Sequence, residues 1–271
     1  MSTSKGKKLP VVYDTSDYDP DDDQHRKQLN CNGCDLFPKK RVRGQGASGD
    51  VDIMFVGESP SSWSTNNNAV FYGRGGRIIR STWKDLRELD DRTGGQLKMR
   101  SLRKWDTYAV QCQVEEGRDQ NATASAPTIK RCGSYLQKDI AHKKPKIVVA
   151  FGATALKALG YKAGNFMDTR GRIVEVEIGG KPVLVMPTFS TKHMTAKTGL
   201  YNLFYADVVR AIRIASGKDE VGSNATLEEV TKDYRIPRTV AEVGALCDEI
   251  INHVVEGATR AEQCAIAVDT E

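Results

Sequence analysis

The distribution of apolar and polar positions divides the chain into short apolar runs and longer stretches with helical periodicity. Three runs predict strands: VDIMFVGES at 51–59, WDTYAVQC at 105–112, and the beginning of PKIVVAFGATALKALG at 145–160, which passes through Gly152 into a helix. A further segment, 172–189, contains two apolar runs joined by Gly179-Gly180 and predicts a β-hairpin.

Three stripes of apolar residues recur at helical spacing between and after these runs. They predict the buried faces of three helices rather than binding residues. Continuous apolar strands that alternate with helices are typical of an α/β fold, in which helices cover both faces of a parallel sheet. The stripes are Ile79, Trp83 and Leu86; Ile129, Cys132, Leu136 and Ile140; and Leu200, Phe204, Val208 and Ile212.

The carboxyl ends of the strands are where sheets of this kind bind their ligands. Four segments follow the predicted strands and contain polar or titratable residues. We therefore expect the functional site to be built from GESPSSW, QCQVEEG, FGAT and TFSTKHM.

Charge separates a basic central part from two acidic ends. Residues 24–218 contain 33 Lys and Arg against 17 Asp and Glu, whereas residues 1–23 contain 3 against 6 and residues 219–271 contain 4 against 12. A basic domain of this kind is typical of a protein that binds a polyanion such as nucleic acid. We expect a flexible acidic leader at 1–23, a domain at 24–218, a linker at 219–237 and a separate segment at 238–271.

The apolar runs are too short for a membrane protein. None reaches the ~18–20 residues that cross a bilayer, and the N-terminus, MSTSKGKKLP, lacks the apolar core of a signal peptide. The sequence therefore predicts a cytoplasmic protein with no membrane partner, in a compartment where disulfides are disfavoured.

Four of the six cysteines have a spacing that suggests metal ligands. Cys31 and Cys34 form a Cys-x2-Cys pair followed by a basic run, Cys112 ends a predicted strand, and Cys132 lies near the start of a predicted helix. Zinc usually takes two tight pairs. An iron–sulfur cluster also needs four thiolates but tolerates unequal spacing. Unliganded buried thiols are the third alternative, and they suit the other two cysteines, which lie in apolar patterns.

The motifs around these cysteines follow one another in a definite order. The series CNGC, DLFPKKRVRGQG, IMFVGESP, VFYGRGGRIIR, YAVQC, PKIVVAFGATALKAL and VLVMPTF, over about residues 29–215, resembles the iron–sulfur uracil-DNA glycosylases of the family 4 and 5 type. The resemblance implies a three-layer α/β/α fold with a central, mostly parallel four-stranded sheet. It also implies a [4Fe–4S] cluster that staples two distant loops near the DNA, with Cys31, Cys34, Cys112 and Cys132 as ligands.

The resemblance implies DNA as the partner, either single-stranded or with a flipped base. The basic run after the cysteine pair would then lie beside phosphates. The predicted backbone contacts are Lys39, Lys40, Arg41, Arg43, Arg74 and Arg77.

The first glycosylase motif supplies the candidate water-positioning carboxylate. Gly57, Glu58, Ser59 and Pro60 match the family's Gly-Glu-(Ala/Ser)-Pro, and Ser, Thr and Asn residues replace the acidic residues that follow it in the family. Glu58 is therefore the nearby carboxylate that is left to position water. Phe71 takes the place of the aromatic residue that stacks on the flipped base.

Two positions of the base pocket depart from the family pattern. Tyr108 stands where the family has the Asn that reads the uracil edge, four residues before the third cysteine. Ser190 stands where the family has the His of His-Pro-Ser, and His193, three residues further on, is the candidate to take its role. These departures favour a scaffold that keeps its DNA affinity more than they favour uracil excision.

The last residues resemble a different protein. Asp269 and Glu271 lie two apart on a predicted strand, after a predicted helix over about 239–255, so both carboxylates point to one face. This pattern resembles the first motif of the 3′–5′ exonuclease domain of family A DNA polymerases. The resemblance implies the start of a truncated exonuclease-like domain at 238–271, in the N-terminal part of a longer bacteriophage polymerase.

Three hypotheses follow. The first is an enzyme that excises a damaged base from DNA. The second is a catalytically silent DNA-binding module of a replication polymerase, with the chain acting either as a monomer or as part of that longer polypeptide. The third is a zinc-stabilised nucleic-acid adaptor.

Overall fold

Six strands form a single sheet whose order is β1-β3-β2-β4-β6-β5. The computed structural model describes residues 31, 33–37, 39–114, 123–162, 165–218 and 245. Strands β3, β2, β4 and β6 are parallel to one another, and β1 and β5 pair antiparallel at the two edges. The strands are β1 (Gln45–Gly46), β2 (Ile53–Gly57), β3 (Lys104–Tyr108), β4 (Ile147–Phe151), β5 (Val174–Ile178) and β6 (Lys181–Thr188).

The expected count of four strands is wrong, because the sheet has six. The four central strands are the parallel ones, and each edge adds an antiparallel strand. Strand β5 is the first arm of the hairpin that turns at Gly179-Gly180. Strand β1 has only two residues, so it leaves no periodic signal in the sequence.

Seven helices and one short 3-10 turn connect the strands in the described part of the chain. The three apolar stripes lie on the three longest helices, as the sequence predicts, except that Leu200 belongs to the 3-10 turn that precedes α7. The helices are α1 (Ser62–Asn67), α2 (Arg74–Arg92), α3 (Ala126–Lys143), α4 (Ala153–Ala158), α5 (Phe166–Thr169), α6 (Thr191–Ala196) and α7 (Tyr201–Ala215), and the 3-10 turn is Thr198–Leu200.

Alternate residues of the central strands face two separate layers of helices. Ile53 and Phe55 of β2 belong to one core with residues of α2 and α7, such as Ile79 and Phe204. Their neighbours Met54 and Val56 belong to a second core with residues of α3 and α4. Every residue of β2 and β4 is buried, as expected for parallel strands covered on both faces. The three-layer α/β/α architecture is confirmed.

The four parallel strands end along the same edge of the sheet. Gly57, Tyr108, Phe151 and Thr188 are their last residues. The segments that follow are the ones the sequence singled out, so the fold gathers them at one edge.

The chain divides into two units, residues 1–224 and 225–271. The leader, the linker at 219–237, the predicted helix over 239–255, and Asp269 and Glu271 lie outside the described residues, apart from residue 245. The organisation predicted there stays a prediction. In the described part of the chain, no helix has the length and apolarity needed to span a bilayer.

A buried carboxylate fixes the connection from α2 to β3. Asp90, in the last turn of α2, is 2% exposed. Its two carboxylate oxygens accept the backbone N–H groups of Leu97 (2.6 Å) and Met99 (2.8 Å). The next residue, Asp91, is exposed and forms a surface ion pair with Arg100. These neighbours allow a matched comparison.

Replacement of Asp90 by Ala is expected to lower the free energy of unfolding by about 1–3 kcal/mol for each N–H left without a partner. Replacement of Asp91 by Ala should change stability little, because exposed ion pairs contribute little. Urea unfolding of the two variants and the wild type measures the difference. Equal losses in both variants would contradict a structural role for Asp90.

Candidate active site

A cleft of about 300 Å³ opens at the edge where the parallel strands end. Its wall comes from the end of β2 and the segment after it, from the last residues of β3 and β4, from the segment after β6 and from the start of α2. None of residues 109–114, which follow β3, is among the lining residues, so the expected contribution of QCQVEEG is not seen there. The lining residues are Gly57, Glu58, Ser59, Pro60, Ser61, Ser62, Trp63, Phe71, Tyr72, Arg74, Gly75, Gly76, Tyr108, Phe151, Ser190, Thr191, Lys192 and Thr195. All the base-pocket residues predicted from the sequence are in this set, together with the predicted catalytic residue Glu58.

Glu58 supplies the cleft with its negative charge. It follows β2 directly, and its Oε1 accepts the backbone N–H of Thr154 at 3.3 Å, in the first turn of α4. Gly152 has φ of +92°, and a Cβ there would lie 2.6 Å from Glu58 Oε1, so only glycine lets the β4–α4 turn pass this close. Among the described lining residues Glu58 is the sole carboxylate.

Phe71 forms an aromatic wall of the cleft. Its ring is 3% exposed and stands edge-on to the rings of Tyr108 and Phe151, with centroid distances of 5.3 and 5.8 Å. Its backbone has φ of +53°, which is uncommon for a residue with a side chain. The carbonyl of Phe71 lies against Gly76 so closely that a Cβ at Gly76 would overlap it. The side chain of Phe71 is therefore a fixed part of the cleft wall.

Tyr108 uses its hydroxyl within the protein. The oxygen accepts the backbone N–H of Phe71 at 2.8 Å and lies 3.0 Å from Oγ of Ser64. Ser64 Oγ in turn contacts both backbone polar groups of Tyr72. Burial raises the pKa of the Tyr108 phenol, so it stays protonated and can donate to Ser64. Tyr108 thus braces the Phe71 segment from the end of β3.

Ser190 and His193 contact each other at the N-terminus of α6. Ser190 is the N-cap of α6, and its Oγ accepts the backbone N–H of His193 at 3.3 Å. The same Oγ lies 3.0 Å from Nδ1 of the His193 ring. Ser190 is buried and lines the cleft, whereas His193 is exposed and lies outside the lining. The structure therefore brings Ser190, but not the imidazole, to the cleft.

Sequence reasoning missed several residues of the cleft wall, among them Ser61, Trp63 and Tyr72, and it missed Ser64, which supports the wall from behind. Ser61 caps α1 by accepting the backbone N–H of Ser64 at 3.2 Å. Ser64 is fully buried within the polar stretch SSWSTNNN. Trp63 and Tyr72 stand at the mouth with 64% and 42% of their surface exposed. A single tryptophan among eight otherwise polar residues is the signal that could have indicated them.

The predicted cations fall into two places. Arg74, the first residue of α2, lines the cleft, and Arg77 is exposed one turn later. The earlier basic run lies beside the cysteines, since Arg41 pairs with Cys112 in an isolated bridge. The Arg41 guanidinium stacks 3.6 Å from the centre of the Tyr135 ring and donates to Gln111 Oε1, so it is engaged within the protein. The neighbouring Lys39 and Arg43 are partly buried and Lys40 is exposed.

The four cysteines predicted as ligands lie in one region, although they come from distant parts of the chain. We call Cys31, Cys34, Cys112 and Cys132 the four-cysteine group. Cys112 and Cys132 are buried with Leu36 and Val110, and Cys34 packs against them. Cys31 Sγ lies 3.0 Å from the hydroxyl of Tyr135, which is three residues after Cys132 on α3.

The thiols of the four-cysteine group are free and influence one another electrostatically. Burial, and then negative charge on the other three cysteines, raises the pKa of the Cys132 thiol to about 12. The N–H of Cys34 donates to the carbonyl of Cys31 at 2.9 Å, so the first pair sits in a tight turn. Within the described part of the chain, no set of three or more His, Cys, Asp or Glu side chains is arranged around one metal ion.

Fold and cleft together define a class: a three-layer α/β/α protein with its site at the carboxyl ends of four parallel strands. Residues 43–212 match the profile of the Uracil DNA glycosylase superfamily. The chain belongs to this superfamily. The matched segment contains Glu58, Phe71, Tyr108 and Ser190, and it begins after Cys31 and Cys34.

Curated relatives carry a more specific name. The chain is 30% identical to the type-4 uracil-DNA glycosylase of Thermotoga maritima over 168 residues, which cover 60% of this chain and 77% of the relative. It is 26% identical to the type-4 enzyme of Pyrobaculum aerophilum over 190 residues, covering 68% and 89%. It is 24% identical to that of Archaeoglobus fulgidus over 176 residues, covering 62% and 79%.

Replacement of Tyr108 by Phe tests the brace. The variant keeps the ring but leaves the buried Phe71 N–H without its acceptor, so the free energy of unfolding should fall by about 1–3 kcal/mol. Replacement of Tyr72 by Phe is the matched control, because that residue is exposed. Thermal or urea unfolding measures both variants. A Tyr108→Phe protein as stable as the control would contradict the brace.

Proposed function

We propose that this domain binds DNA with one nucleotide turned out of the stack and hydrolyses the N-glycosidic bond of that nucleotide. The observation that carries the proposal is the position of Glu58, the sole carboxylate among the described residues of the cleft wall, in a cleft that aromatic residues also line and in a chain of the Uracil DNA glycosylase superfamily. A base inside a duplex is out of reach of such a cleft, so the nucleotide must be extruded first. Uracil is the first substrate to test.

The chemistry requires one water molecule. Its oxygen forms a bond to C1′ of the sugar while the bond from C1′ to the base nitrogen breaks. The base leaves with the electron pair of that bond and takes up a proton, and the water loses a proton, so the products are an abasic sugar and a free base. Glu58 is placed to orient the water and to accept its proton, because the Thr154 N–H fixes one carboxylate oxygen.

The walls of the cleft suit a planar heterocycle. Phe71, Tyr108 and Phe151 give it an apolar side, and Ser59, Ser190 and the other hydroxyl groups of the wall give it a polar one. Stacking of a base on an aromatic side chain contributes about 1–3 kcal/mol. A cleft of about 300 Å³ has the volume for one base.

The surface charge supports DNA as the partner. The central part of the chain carries 33 basic residues against 17 acidic ones. Arg74 and Lys192 lie on the wall of the cleft, and Arg77 is exposed beside it. Binding to phosphates releases counterions, so affinity for DNA should fall steeply with salt concentration.

The four-cysteine group would hold an iron–sulfur cluster. Four free thiols in one region are the donor set that such a cluster requires. Cys31, Cys34, Cys112 and Cys132 would supply its four thiolate ligands. When bound, the cluster would cross-link the turn at Cys31–Cys34 to the loop after β3 and to α3. It would thereby hold the basic run, which includes Lys40, at a fixed place on the surface.

A catalytically silent DNA-binding module is the second candidate. The contacts of Tyr108 favour it, because a phenol committed to Ser64 and Phe71 offers the base edge no paired donor and acceptor. The exposed position of His193 also favours it, because no imidazole lines the described cleft wall. A more specific version of this candidate places the domain N-terminal to a replication polymerase. Asp269 and Glu271 would then belong to the start of the exonuclease domain of that polymerase.

Replacement of Glu58 by Gln tests the enzyme. The variant should lose about 10²–10⁴-fold in the rate of base excision while its affinity for DNA stays the same. The rate is measured with single-stranded uracil-containing oligonucleotides, in which alkali cleaves the abasic product. Replacement of Glu177 by Gln, at an exposed position on edge strand β5, is the matched control.

Two outcomes would count against the enzyme. Full activity in the Glu58→Gln variant would remove Glu58 from the reaction. Salt-dependent binding by the wild type without any abasic product would support the silent module.

Replacement of Cys132 by Ser tests the iron–sulfur proposal. Wild-type protein purified without oxygen should be yellow-brown and contain about four irons and four acid-labile sulfides per chain. The Cys132→Ser variant should lose most of both, whereas Cys247→Ser should keep them. Stoichiometric zinc without sulfide would instead support the adaptor.

A further inference from the structure

Two large aromatic side chains at the mouth of the cleft are exposed to solvent. Trp63 is 64% exposed and Tyr72 is 42% exposed, and both line the cleft. The other large apolar side chains described as exposed, such as Leu89, do not line it. An aromatic side chain can bury 150–250 Å², so exposure of two at one mouth leaves a substantial apolar surface for a partner.

The backbone beneath these two side chains is fixed. Ser61 Oγ donates to the carbonyl of Tyr72 at 3.3 Å. Ser64 Oγ donates to the same carbonyl and accepts the backbone N–H of Tyr72. Gly73 packs so closely beneath Trp63 that a Cβ there would lie 3.0 Å from the Cβ of Trp63. A rigid support reduces the ordering entropy that binding would otherwise cost.

One cation contacts the aromatic pair, and two more lie along the first turns of α2. The Arg80 guanidinium lies 5.4 Å from the centre of the Tyr72 ring. Arg74 lines the cleft, and Arg77 is exposed on the following turn of α2. Flat apolar rings next to positive charge complement a nucleotide, which joins a flat base to a phosphate.

The aromatic residues of the cleft differ in exposure. Phe71 is 3% exposed and packed against Tyr108 and Phe151. Trp63 and Tyr72 line the same cleft but are exposed, so they lie at its solvent-facing margin. With an extruded base against Phe71, a base on Trp63 or Tyr72 belongs to a neighbouring nucleotide.

We propose that Trp63 and Tyr72 form a stacking site for an unpaired base adjacent to the extruded nucleotide, so that the domain prefers single-stranded DNA. The proposal rests on the proposed function only for the identity of the ligand as DNA. It does not depend on base excision.

Replacement of Trp63 by Ala tests the stacking site. Affinity for a uracil-free single-stranded oligonucleotide, measured by fluorescence anisotropy at fixed salt, should fall about 5- to 150-fold, which corresponds to the loss of one stacked base. The Tyr72→Ala variant should lose affinity in the same direction, and Trp63→Phe should keep most of it. The dependence of affinity on salt should stay the same, because no phosphate contact is removed.

Leu89→Ala is the matched control, because Leu89 is 41% exposed on α2 and lies outside the cleft lining. Its affinity should equal that of the wild type. Thermal unfolding of Trp63→Ala should also match the wild type, since an exposed side chain contributes little to stability, and this match shows that lost affinity is not lost folding. In the wild type, the oligonucleotide should quench indole fluorescence more than it does in Trp63→Phe.

Three results would overturn the stacking site. The first is wild-type affinity for single-stranded DNA in Trp63→Ala. The second is an equal loss of affinity in Leu89→Ala, and the third is an equal loss of affinity for fully paired duplex DNA in Trp63→Ala. Absence of single-strand binding by the wild type would overturn it as well. Failure of the proposed excision is a different result. If the wild type makes no abasic product but Trp63→Ala still loses single-strand affinity, excision fails and the stacking site stands. If the wild type excises and Trp63→Ala binds normally, the stacking site alone fails.

Discussion

The cleft depends on one buried hydroxyl group. The phenol oxygen of Tyr108 accepts the N–H of Phe71, whose backbone is in the left-handed region, and contacts Ser64 on α1. It thereby joins the end of β3 to the two segments that follow β2. A left-handed backbone at a bulky residue persists only where its surroundings hold it. Through Ser64, the same contact is linked to the backbone of Tyr72 and to the short helix that carries Trp63.

The central strands and the long helices could be predicted from the sequence because their burial determines the types of neighbouring residues. The continuous apolar runs of β2 and β4, and the helical stripes, record burial directly in residue type. The edges of the sheet leave no such record. Strand β1 exists because Gly44 and Gly46 let the chain lie close to Trp105, where a Cβ at Gly44 would be 2.5 Å from the indole nitrogen. That contact joins residues about sixty positions apart, so local periodicity cannot indicate it.

The candidate site was predicted in part: several of its members were named from the sequence, but His193 lies outside the described cleft lining, Trp63 and Tyr72 were missed, and the contacts between the members were not predicted. The motifs correctly placed Glu58, Phe71 and Ser190 at one cleft. The sequence showed Tyr108 only as a departure from the family's Asn and did not indicate what its hydroxyl contacts. Its contact with Ser64 spans 44 positions and needs the tertiary fold. The engagement of Arg41 with Tyr135 and Gln111 was hidden for the same reason, because a basic run in a sequence does not distinguish a guanidinium that faces solvent from one that stacks on a ring.

The packing of Gly76 against the Phe71 carbonyl has a mechanical consequence. Gly76 belongs to the first turn of α2, a helix of 19 residues whose apolar stripe is buried in the core. The aromatic wall therefore cannot swing aside unless that helix shifts or unwinds at its start. Under the proposed function, the work needed to admit a base would fall on the nucleic acid, whose own stiffness and pairing would decide which stretches enter. A rigid receptor of this kind would select among strands by how easily each one deforms.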